Sequence, residues 1–301
     1  MVQPNIKTYK KITISGCEII GKGSKSTVYR YEPDKIVKVY ENIDSLDIIS
    51  LEQKLAHKAY ELGIPTPISF DIVEVDGKYG VMFELFQSKS LSELIVSDIE
   101  HIDKYMIDYV ELLKRLHTTK VKEDDLPNIK DYVPVWIKGC EGVLDDESLN
   151  KIKTLIDEIP NQLTMLHCDY HTNNVLKQDN KIILIDMDCL SYGHPIFELV
   201  NMYFAFVGIV EIFPDNADTF LGMSKETANL IWNRFLPYYF ETNDQDKLNK
   251  LTDKIRLLTF VRILRHIVRL NKRDNLDVDK EINYCIDEIH RLLNKVDTLV
   301  F

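Results

Sequence analysis

The chain is short of the features that mark special classes of protein. Of its 301 residues only five are cysteine, at positions 17, 140, 168, 189 and 285; the number is odd and no two have CxxC spacing. That argues against a disulfide framework and a cysteine zinc site, and makes a reducing compartment the expectation. Basic charge is in deficit, with 37 Lys and Arg against 48 Asp and Glu, a net charge of −11 and a pI near 5.3. A bulk binder of nucleic acid or of an anionic membrane needs the opposite balance. Long hydrophobic runs are missing: the most apolar stretch, Leu199 to Phe213, is broken by Asn201 and Glu211 and is too short to span a bilayer, so a buried helix is expected there. The opening MVQPNIKTYKKITISG lacks the uncharged apolar core of a signal peptide, and with the cysteine usage this predicts a cytoplasmic protein. Internal repeats and low-complexity segments are absent too. What is there is an ordinary globular composition, 45% hydrophobic and 28% charged, on a chain long enough to bury a large core.

The hydrophobic pattern changes once along the chain. KITISGCEII (11–20), STVYRY (26–31), KIVKVY (35–40), PISFDIVEV (67–75) and KYGVMFEL (78–85) are β-branched or alternating and bounded by turn residues, so each is predicted as a strand. Asp76-Gly77 joins the last two as a hairpin. Residues 45–62 take a helical period, with Ile48, Leu55, Ala56 and Ala59 on one face, ended by Gly63 and Pro65. After Leu85 the chain is mostly helical. Ser90 and Glu93 make a capping box, and helices are predicted near 99–117, 132–140, 147–158, 195–213, 224–239, 244–273 and 277–296. LTMLHC (163–168), VLKQ (175–178) and KIILID (181–186) interrupt them as short strands. The fold class is therefore α+β: residues 1–86 form a small β-rich lobe with one helix, and residues 87–301 a larger, mainly helical lobe.

HCDYHTNNVL (167–176), followed by ILIDMD (183–188), crowds acids, histidines and asparagines between short apolar strands. Asp169 and Asn174 share one loop and Asp186 ends the next strand; carboxylate and amide oxygens suit a hard cation such as Mg²⁺ and can orient a hydroxyl. Three other readings stand beside this one. A hydrolytic metal centre on His167 and His171 is weakened by the absence of HExxH spacing. A nucleophilic Cys168 with a histidine base is weakened because neighbours in an extended segment point to opposite sides. The third is a polar loop rich in turn-forming residues. In the first lobe, GKGSKSTVYR (21–30) lies between two strands and can turn backbone amides toward an anion. Lys38 interrupts the apolar strand IVKVY, and Glu52 falls on the apolar stripe of the next helix, so the two can pair; a solvent-facing lysine is the alternative.

The order of Gly-rich loop, strand lysine, helix glutamate, HxDxxxxN and strand-end aspartate resembles the protein-kinase-like signature. The spellings are more similar to the aminoglycoside phosphotransferase and choline kinase superfamily. LHCDYHTNNVL resembles its HGDxHxxN loop, ILIDMD its IDxD or IDWE strand, GHPIFELV (193–200) its GxPxxDL, and ELGIPTPISFD (61–71) its helix-to-strand link. The resemblance runs from residue 13 to residue 204. It implies a protein-kinase-like bilobal fold and an enzyme that moves the γ-phosphoryl of ATP or GTP, with Mg²⁺, to a hydroxyl of a small molecule. Carried over by position, it implies that Asp169 receives or orients the acceptor hydroxyl and that His171 steadies the transferred phosphoryl. It implies Asn174 and Asp186 as Mg²⁺ ligands, and Lys38, held by Glu52, on the α- and β-phosphates. Gly21, Gly23, Ser24, Ser26 and Thr27 would surround the phosphates; Glu84, Leu85 and Phe86 would form the adenine hinge, with Phe83 setting the pocket depth. Cys168 stands for the usual glycine and Glu198 for the usual aspartate, and His167 is expected to hold the loop.

GHPIFEL begins seven residues after Asp186, and the intervening MDCLSY leaves no room for a peptide platform. A small-molecule hydroxyl acceptor is therefore expected rather than the substrate of an atypical protein serine kinase. Net charge slightly favours an amine-bearing compound. Acidic clusters at 123–125, 145–147, 215–218 and 241–246 could attract one, though each reads more readily as a solvated loop or helix start. Arg262, Arg265, Arg269 and Arg273 at helical spacing either pair with acidic neighbours or bind an anionic acceptor. Choline, ethanolamine, a sugar or another amino alcohol are alternatives to an aminoglycoside. A nucleotide-binding pseudokinase acting as a regulator is the alternative of another class, and the joint presence of Lys38, Asp169, Asn174 and Asp186 argues against it. No nucleic-acid or membrane partner is expected, and a monomer or weak homodimer is.

Overall fold

The computed structural model describes residues 8–23, 25–41, 46–274 and 277–301. The elements begin with β1 (Lys10–Ile12), β2 (Glu18–Lys22), β3 (Ser26–Glu32), β4 (Lys35–Tyr40), α1 (Leu46–Glu61), β5 (Ser69–Val75) and β6 (Lys78–Glu84). There follow β7 (Lys89–Ser90), α2 (Leu91–Ser97), α3 (Ile102–Thr118), α4 (Val133–Lys138), α5 (Asp146–Asp157), β8 (Met165–Leu166), β9 (Val175–Gln178), β10 (Lys181–Leu184) and β11 (Ser191–Tyr192). The last helices are α6 (Ile196–Tyr203), α7 (Ile209–Ile212), α8 (Lys225–Phe240), α9 (Gln245–Asp274) and α10 (Asp279–Leu293). The chain divides into two compact units, Met1–Lys89 with Leu176–Cys189, and Ser90–Val175 with Leu190–Phe301.

In the first unit six strands form one sheet in the order β1-β5-β6-β4-β3-β2, with β1 parallel to β5 and the other pairs antiparallel. The single strand expected over 11–20 is two: a turn with Gly16 at φ +80 breaks it and sends β1 and β2 to opposite sheet edges. Alternation along β4 divides its side chains. Val37 and Val39 join Val73, Val75 and Met82 in one cluster. Tyr40 joins Ile49, Ile72 and Val81 in another, on the face where α1 packs. Lys38 has the parity of Tyr40 and stands opposite Val81 of β6. The neighbouring Gly80 admits the close approach of these strands, since a Cβ there would lie 2.9 Å from the Lys38 carbonyl oxygen. The buried stripe of α1 is Ile49, Glu52, Leu55, Ala56 and Ala59. Ile48, expected on it, is 63% exposed, because in the first turn it is Ile49 that meets the sheet.

Residues 176–189 cluster with this unit although the chain on either side belongs to the other. The Leu184 amide donates to the Pro65 carbonyl at 2.7 Å, and the turn at 187–189 packs on α1. A boundary drawn once at 86/87 therefore misses this hairpin and, with it, Asp186.

In the second unit α3 packs on α8, α6 on α9 and α9 on α10, around a core that includes Tyr109, Phe197, Phe206, Phe235 and Phe260. The expected capping box is present: Ser90 Oγ accepts from the Glu93 amide at 3.1 Å and Glu93 Oε2 from the Ser90 amide at 2.7 Å. The helix expected over 195–213 is α6 and α7 joined by a π-helical turn at Phe204–Gly208. Arg256 of α9 forks onto Glu211 at 2.7 and 2.8 Å, reaches the Tyr203 hydroxyl at 2.8 Å and pairs with Glu288, which ties α9 to α6, α7 and α10. Among the described residues no helix is long and apolar enough to cross a membrane.

Candidate active site

Strand parity carries Lys38 toward α1, where its Nζ meets Glu52 Oε1 at 2.7 Å and Asp186 Oδ1 at 2.7 Å. Asp186 follows β10 with φ +66, a left-handed conformation rare outside glycine. Tyr40, two residues along the same strand face, donates to Glu52 Oε2 at 2.5 Å. Burial opposes the Lys38 charge, but Asp186 and Glu52 outweigh it and hold its pKa above the ordinary lysine value. Burial dominates at Glu52 and raises its carboxyl, with Lys38 and Tyr40 pulling it back. Burial, and then the Glu52 charge, push the Tyr40 hydroxyl far up, so it remains a donor. The ammonium has three N–H groups, these contacts use two, and its side chain stays 16% exposed. It is a fixed, charged donor with capacity for an anion.

The loop 167–174 leaves β8 and is held from several helices. The amides of His167 and Cys168 both donate to Glu198 Oε2, at 2.5 and 3.0 Å, on a carboxylate of α6 that is wholly buried. Cys168 sits at φ +65, where glycine costs least. Asn201 Nδ2 donates to the Cys168 carbonyl at 2.8 Å; Arg262 of α9 donates to Asn201 Oδ1 and lies over the Trp136 and Phe204 rings. Tyr170 and Tyr109 exchange hydroxyl-to-carbonyl bonds of 2.6 and 3.0 Å. Thr172 Oγ1 and Ser92 Oγ share a hydrogen bond of 2.6 Å. Asn174 Nδ2 donates to the Asp169 carbonyl at 2.9 Å and to its Oδ2 at 3.2 Å. His167 Nδ1 accepts from the Asp169 amide at 3.3 Å, and His171 Nε2 lies 3.5 Å from Asp169 Oδ2.

Within this anchored loop the Asp169 side chain is 41% exposed. Burial acts to raise its carboxyl, but His171, then His167 and Arg262, outweigh it and hold it below the usual aspartate range. An ionised carboxylate held from behind and open in front can accept a hydrogen bond from a hydroxyl. Being weakly basic, it takes the proton only as the oxygen gives up its electrons. Cys168, by contrast, is buried at 8% exposure.

The sequence profile of the phosphotransferase enzyme family matches residues 16–218. The chain belongs to this family. The match takes in Lys38, Glu52, the 167–174 loop, Asp186 and Glu198, and the protein is accordingly an enzyme, a phosphotransferase. No curated protein matches it in sequence. Among solved structures its fold is similar to a thermostable mutant of the aminoglycoside phosphotransferase APH(4)-Ia in ternary complex with ADP and hygromycin B. The TM-score is 0.60 at 13% identity, covering 93% of this chain and 94% of that one. ADP-bound aminoglycoside phosphotransferase APH(2'')-Ib aligns with a TM-score of 0.56 at 15% identity, covering 95% and 94%. A choline/ethanolamine kinase family protein from Mesorhizobium loti aligns with a TM-score of 0.56 at 13% identity, covering 93% and 88%. At such identities the likeness is one of fold, the α+β class that the sequence predicts.

In this phosphotransferase some expected nucleotide contacts are already engaged. Gly21 stands opposite Val28, and the Gly23 amide donates to the Ser26 carbonyl at 2.8 Å. The Thr27 hydroxyl is buried and turned to Glu41 at 3.4 Å. The first of these bonds closes the β2–β3 turn, and the second links β3 to the residue that follows β4. Ser26 is buried as well, and Ser24 lies outside the described residues. At the end of β6, the Glu84 amide donates to the Ile68 carbonyl at 3.0 Å and the Leu85 amide to the Asp34 carbonyl at 2.8 Å. Phe83 packs against the Tyr40, Ile49, Ile72 and Val81 cluster, and Phe86 is half-buried.

The basic stripe does not form one surface. Arg262 supports the loop, and Arg265 packs so tightly on Gly139 that a Cβ there would lie 2.2 Å from its Cγ. Arg269 is exposed, and Arg273 pairs with Asp274 at 2.6 Å. Several acidic clusters are structural: Asp145 and Asp244 cap helix starts, and Glu241 pairs with Lys114. Sequence reasoning missed Tyr40, whose signal is its two-residue spacing from Lys38, and Asn201, one helical turn beyond Glu198. It also missed Phe220, whose ring lies 4.8 Å from the His171 ring and which no periodicity announces.

Proposed function

We propose that this enzyme moves the γ-phosphoryl of ATP or GTP to a hydroxyl of a small molecule, with Asp169 orienting the acceptor. The observation that carries the reading is the Asp169 carboxylate, ionised and open to solvent in a loop whose other groups are held by Glu198, Asn201, Tyr109, Ser92 and Asn174. Phosphoryl transfer asks little covalent chemistry of a protein; it asks for charge neutralisation and in-line positioning. Lys38 serves the first need: its remaining N–H meets the α- and β-phosphates while Glu52, braced by Tyr40, keeps the ammonium in place. Asp169 serves the second, and His171 steadies the transferred group beside it.

Mg²⁺ fits the donors available. Asp186 uses only Oδ1 on Lys38 among the described residues, and Asn174 uses its NH₂ on Asp169, which leaves each an oxygen for a hard cation. The ion would draw charge from the phosphate oxygens. Amides and hydroxyls around Gly21, Gly23, Ser24, Ser26 and Thr27 cover the phosphates; with the Leu85 amide engaged on Asp34 and the Phe86 carbonyl on Ser88, the Phe86 amide bonds the adenine, beside Phe83. The six residues between Asp186 and Gly193 support a small acceptor over a peptide. An amine-bearing one is favoured by the net charge of −11 and by Asp215 and Asp218, exposed carboxylates without an ion-pair partner among the described residues. Hygromycin B, bound by a similar structure, is a compound of this kind. The cysteines at 17, 140, 168, 189 and 285 form no disulfide among the described residues, which supports a cytoplasmic setting.

The test is a screen of aminoglycosides, sugars, choline, ethanolamine and other amino alcohols with ATP or GTP and Mg²⁺, reading nucleoside diphosphate release. Release that depends on a hydroxyl compound is the expected result. Tight nucleotide binding without acceptor-dependent release would replace the proposal with a regulatory role.

A further inference from the structure

The segment between α7 and α8 contains a π-helical turn at Ala217–Leu221, closed by Gly222 at φ +67. Its Ala217 and Leu221 are buried in the second unit, which fixes the turn, yet Phe220 between them is 49% exposed. That ring meets the His171 imidazole edge to face at 4.8 Å and 67°, and the Phe220 carbonyl accepts from Asn173 Nδ2 at 2.8 Å. His171 in turn is 5% exposed, with Nε2 3.5 Å from Asp169 Oδ2 and with Nδ1 buried and unpartnered among the described residues. The Phe220 ring thus lies against the histidine beside Asp169 while about half of the residue stays exposed to solvent. The backbone bond to Asn173 keeps the ring in register with the loop.

We infer that Phe220 is a specificity-determining residue for the acceptor. It is the wall against which the carbon skeleton of the hydroxyl compound packs while the reacting hydroxyl lies on Asp169. This rests on the function proposed above. An aromatic ring on a fixed turn offers a large apolar face at little cost in ordering, and it attracts the C–H face of a sugar ring or an alkyl chain. The ligand class is therefore a hydroxyl compound with an apolar face next to its reacting hydroxyl. A polar wall at this position would serve equally to shield His171, but it would not discriminate such a face.

The experiment compares the full chain with its Phe220→Ala and Phe220→Leu variants, using hygromycin B, gentamicin, choline and ethanolamine as acceptor probes with ATP and Mg²⁺. For the best probe, Phe220→Ala should raise the acceptor KM by at least about tenfold, the usual scale for one lost apolar contact, with kcat within about threefold. Phe220→Leu should fall between the two, and the KM for ATP and the thermal midpoint should not move. An unchanged acceptor KM in Phe220→Ala, or a loss confined to kcat, overturns the wall and leaves Phe220 as a cover for His171. Failure of the unaltered chain to phosphorylate any probe overturns the proposed function instead, and the inference with it.

Discussion

Replacing Tyr40 with Phe removes a single oxygen and leaves the ring in its place against Ile49, Ile72 and Val81. That oxygen donates to Glu52 Oε2 at 2.5 Å, and Glu52 is 4% exposed, so no water replaces the lost donor without a rearrangement. A hydrogen bond to a charged group contributes about 1.5–3 kcal/mol. The Tyr40→Phe chain should therefore lose roughly 2 kcal/mol, and its thermal midpoint should drop on the order of 2–4 °C for each kcal/mol. With its brace gone, Glu52 is held among the described residues by Lys38 alone, and its carboxyl, already raised by burial, rises further. A carboxyl raised in the folded state favours folding below its unfolded pKa, and that advantage is lost as pH rises through the folded value. The deficit of the variant should accordingly be larger at pH 8 than at pH 5. Urea unfolding at both pH values, with nucleotide KM measured alongside, reads the whole set. A loss below about 0.5 kcal/mol at pH 8, in the range of an ordinary surface substitution, would refute the buried charge-assisted bond.

Three further outcomes are expected. Asp169→Asn should leave nucleotide binding nearly intact and lower turnover by at least about a hundredfold, measured as acceptor-dependent ADP release; near-normal turnover would remove Asp169 from the chemistry. ATP should raise the thermal midpoint only with Mg²⁺ present, and Asp186→Asn should weaken that shift; an unchanged shift would exclude Asp186 as a ligand. His194 is buried with Nδ1 accepting from the Ile196 amide, and burial, then His117 and Lys130, lower its pKa to about 4 from 6.5. Its folded pKa lies below the unfolded one, so its contribution is complete above pH 6.5 and declines as pH falls to about 4, by roughly 3 kcal/mol in all. Unfolding midpoints at pH 7 and pH 4.5 should differ less in His194→Gln than in the unaltered chain, and equal differences would contradict the assignment.

Features set by short-range periodicity are legible in the residues themselves. Period-two alternation marks β3 and β4, and the helical stripe marks Glu52, so the Lys38–Glu52 pair is legible as one of two readings, beside a solvent-facing lysine. The capping box at Ser90 depends on a three-residue spacing and is equally legible. The spacing of Asp169 and Asn174 points to one loop, and the fold joins them by two bonds from one amide. What stays hidden depends on distant partners. Nothing local tells that residues 176–189 pack with the sheet unit, that Thr27 turns to Glu41, or that Arg262 turns inward to Asn201 while Arg269 faces water. The π-helical turn at Phe204–Gly208 keeps an unbroken apolar pattern, so a single helix is what the periodicity predicts there. Glu198 is legible as a supporting acid, but its hold on the two successive amides of His167 and Cys168 is not. Those bonds anchor the backbone where Cys168 occupies a conformation that favours glycine.

The central claim, transfer of a γ-phosphoryl to a small-molecule hydroxyl oriented by Asp169, is tested most directly by phosphorus NMR of the reaction mixture. With ATP, Mg²⁺ and the best acceptor from the screen, a phosphomonoester resonance should grow in step with the loss of the γ-phosphate signal, and it should be absent with Asp169→Asn. Inorganic phosphate as the sole product, or a monoester that forms equally well with Asp169→Asn, would contradict the account.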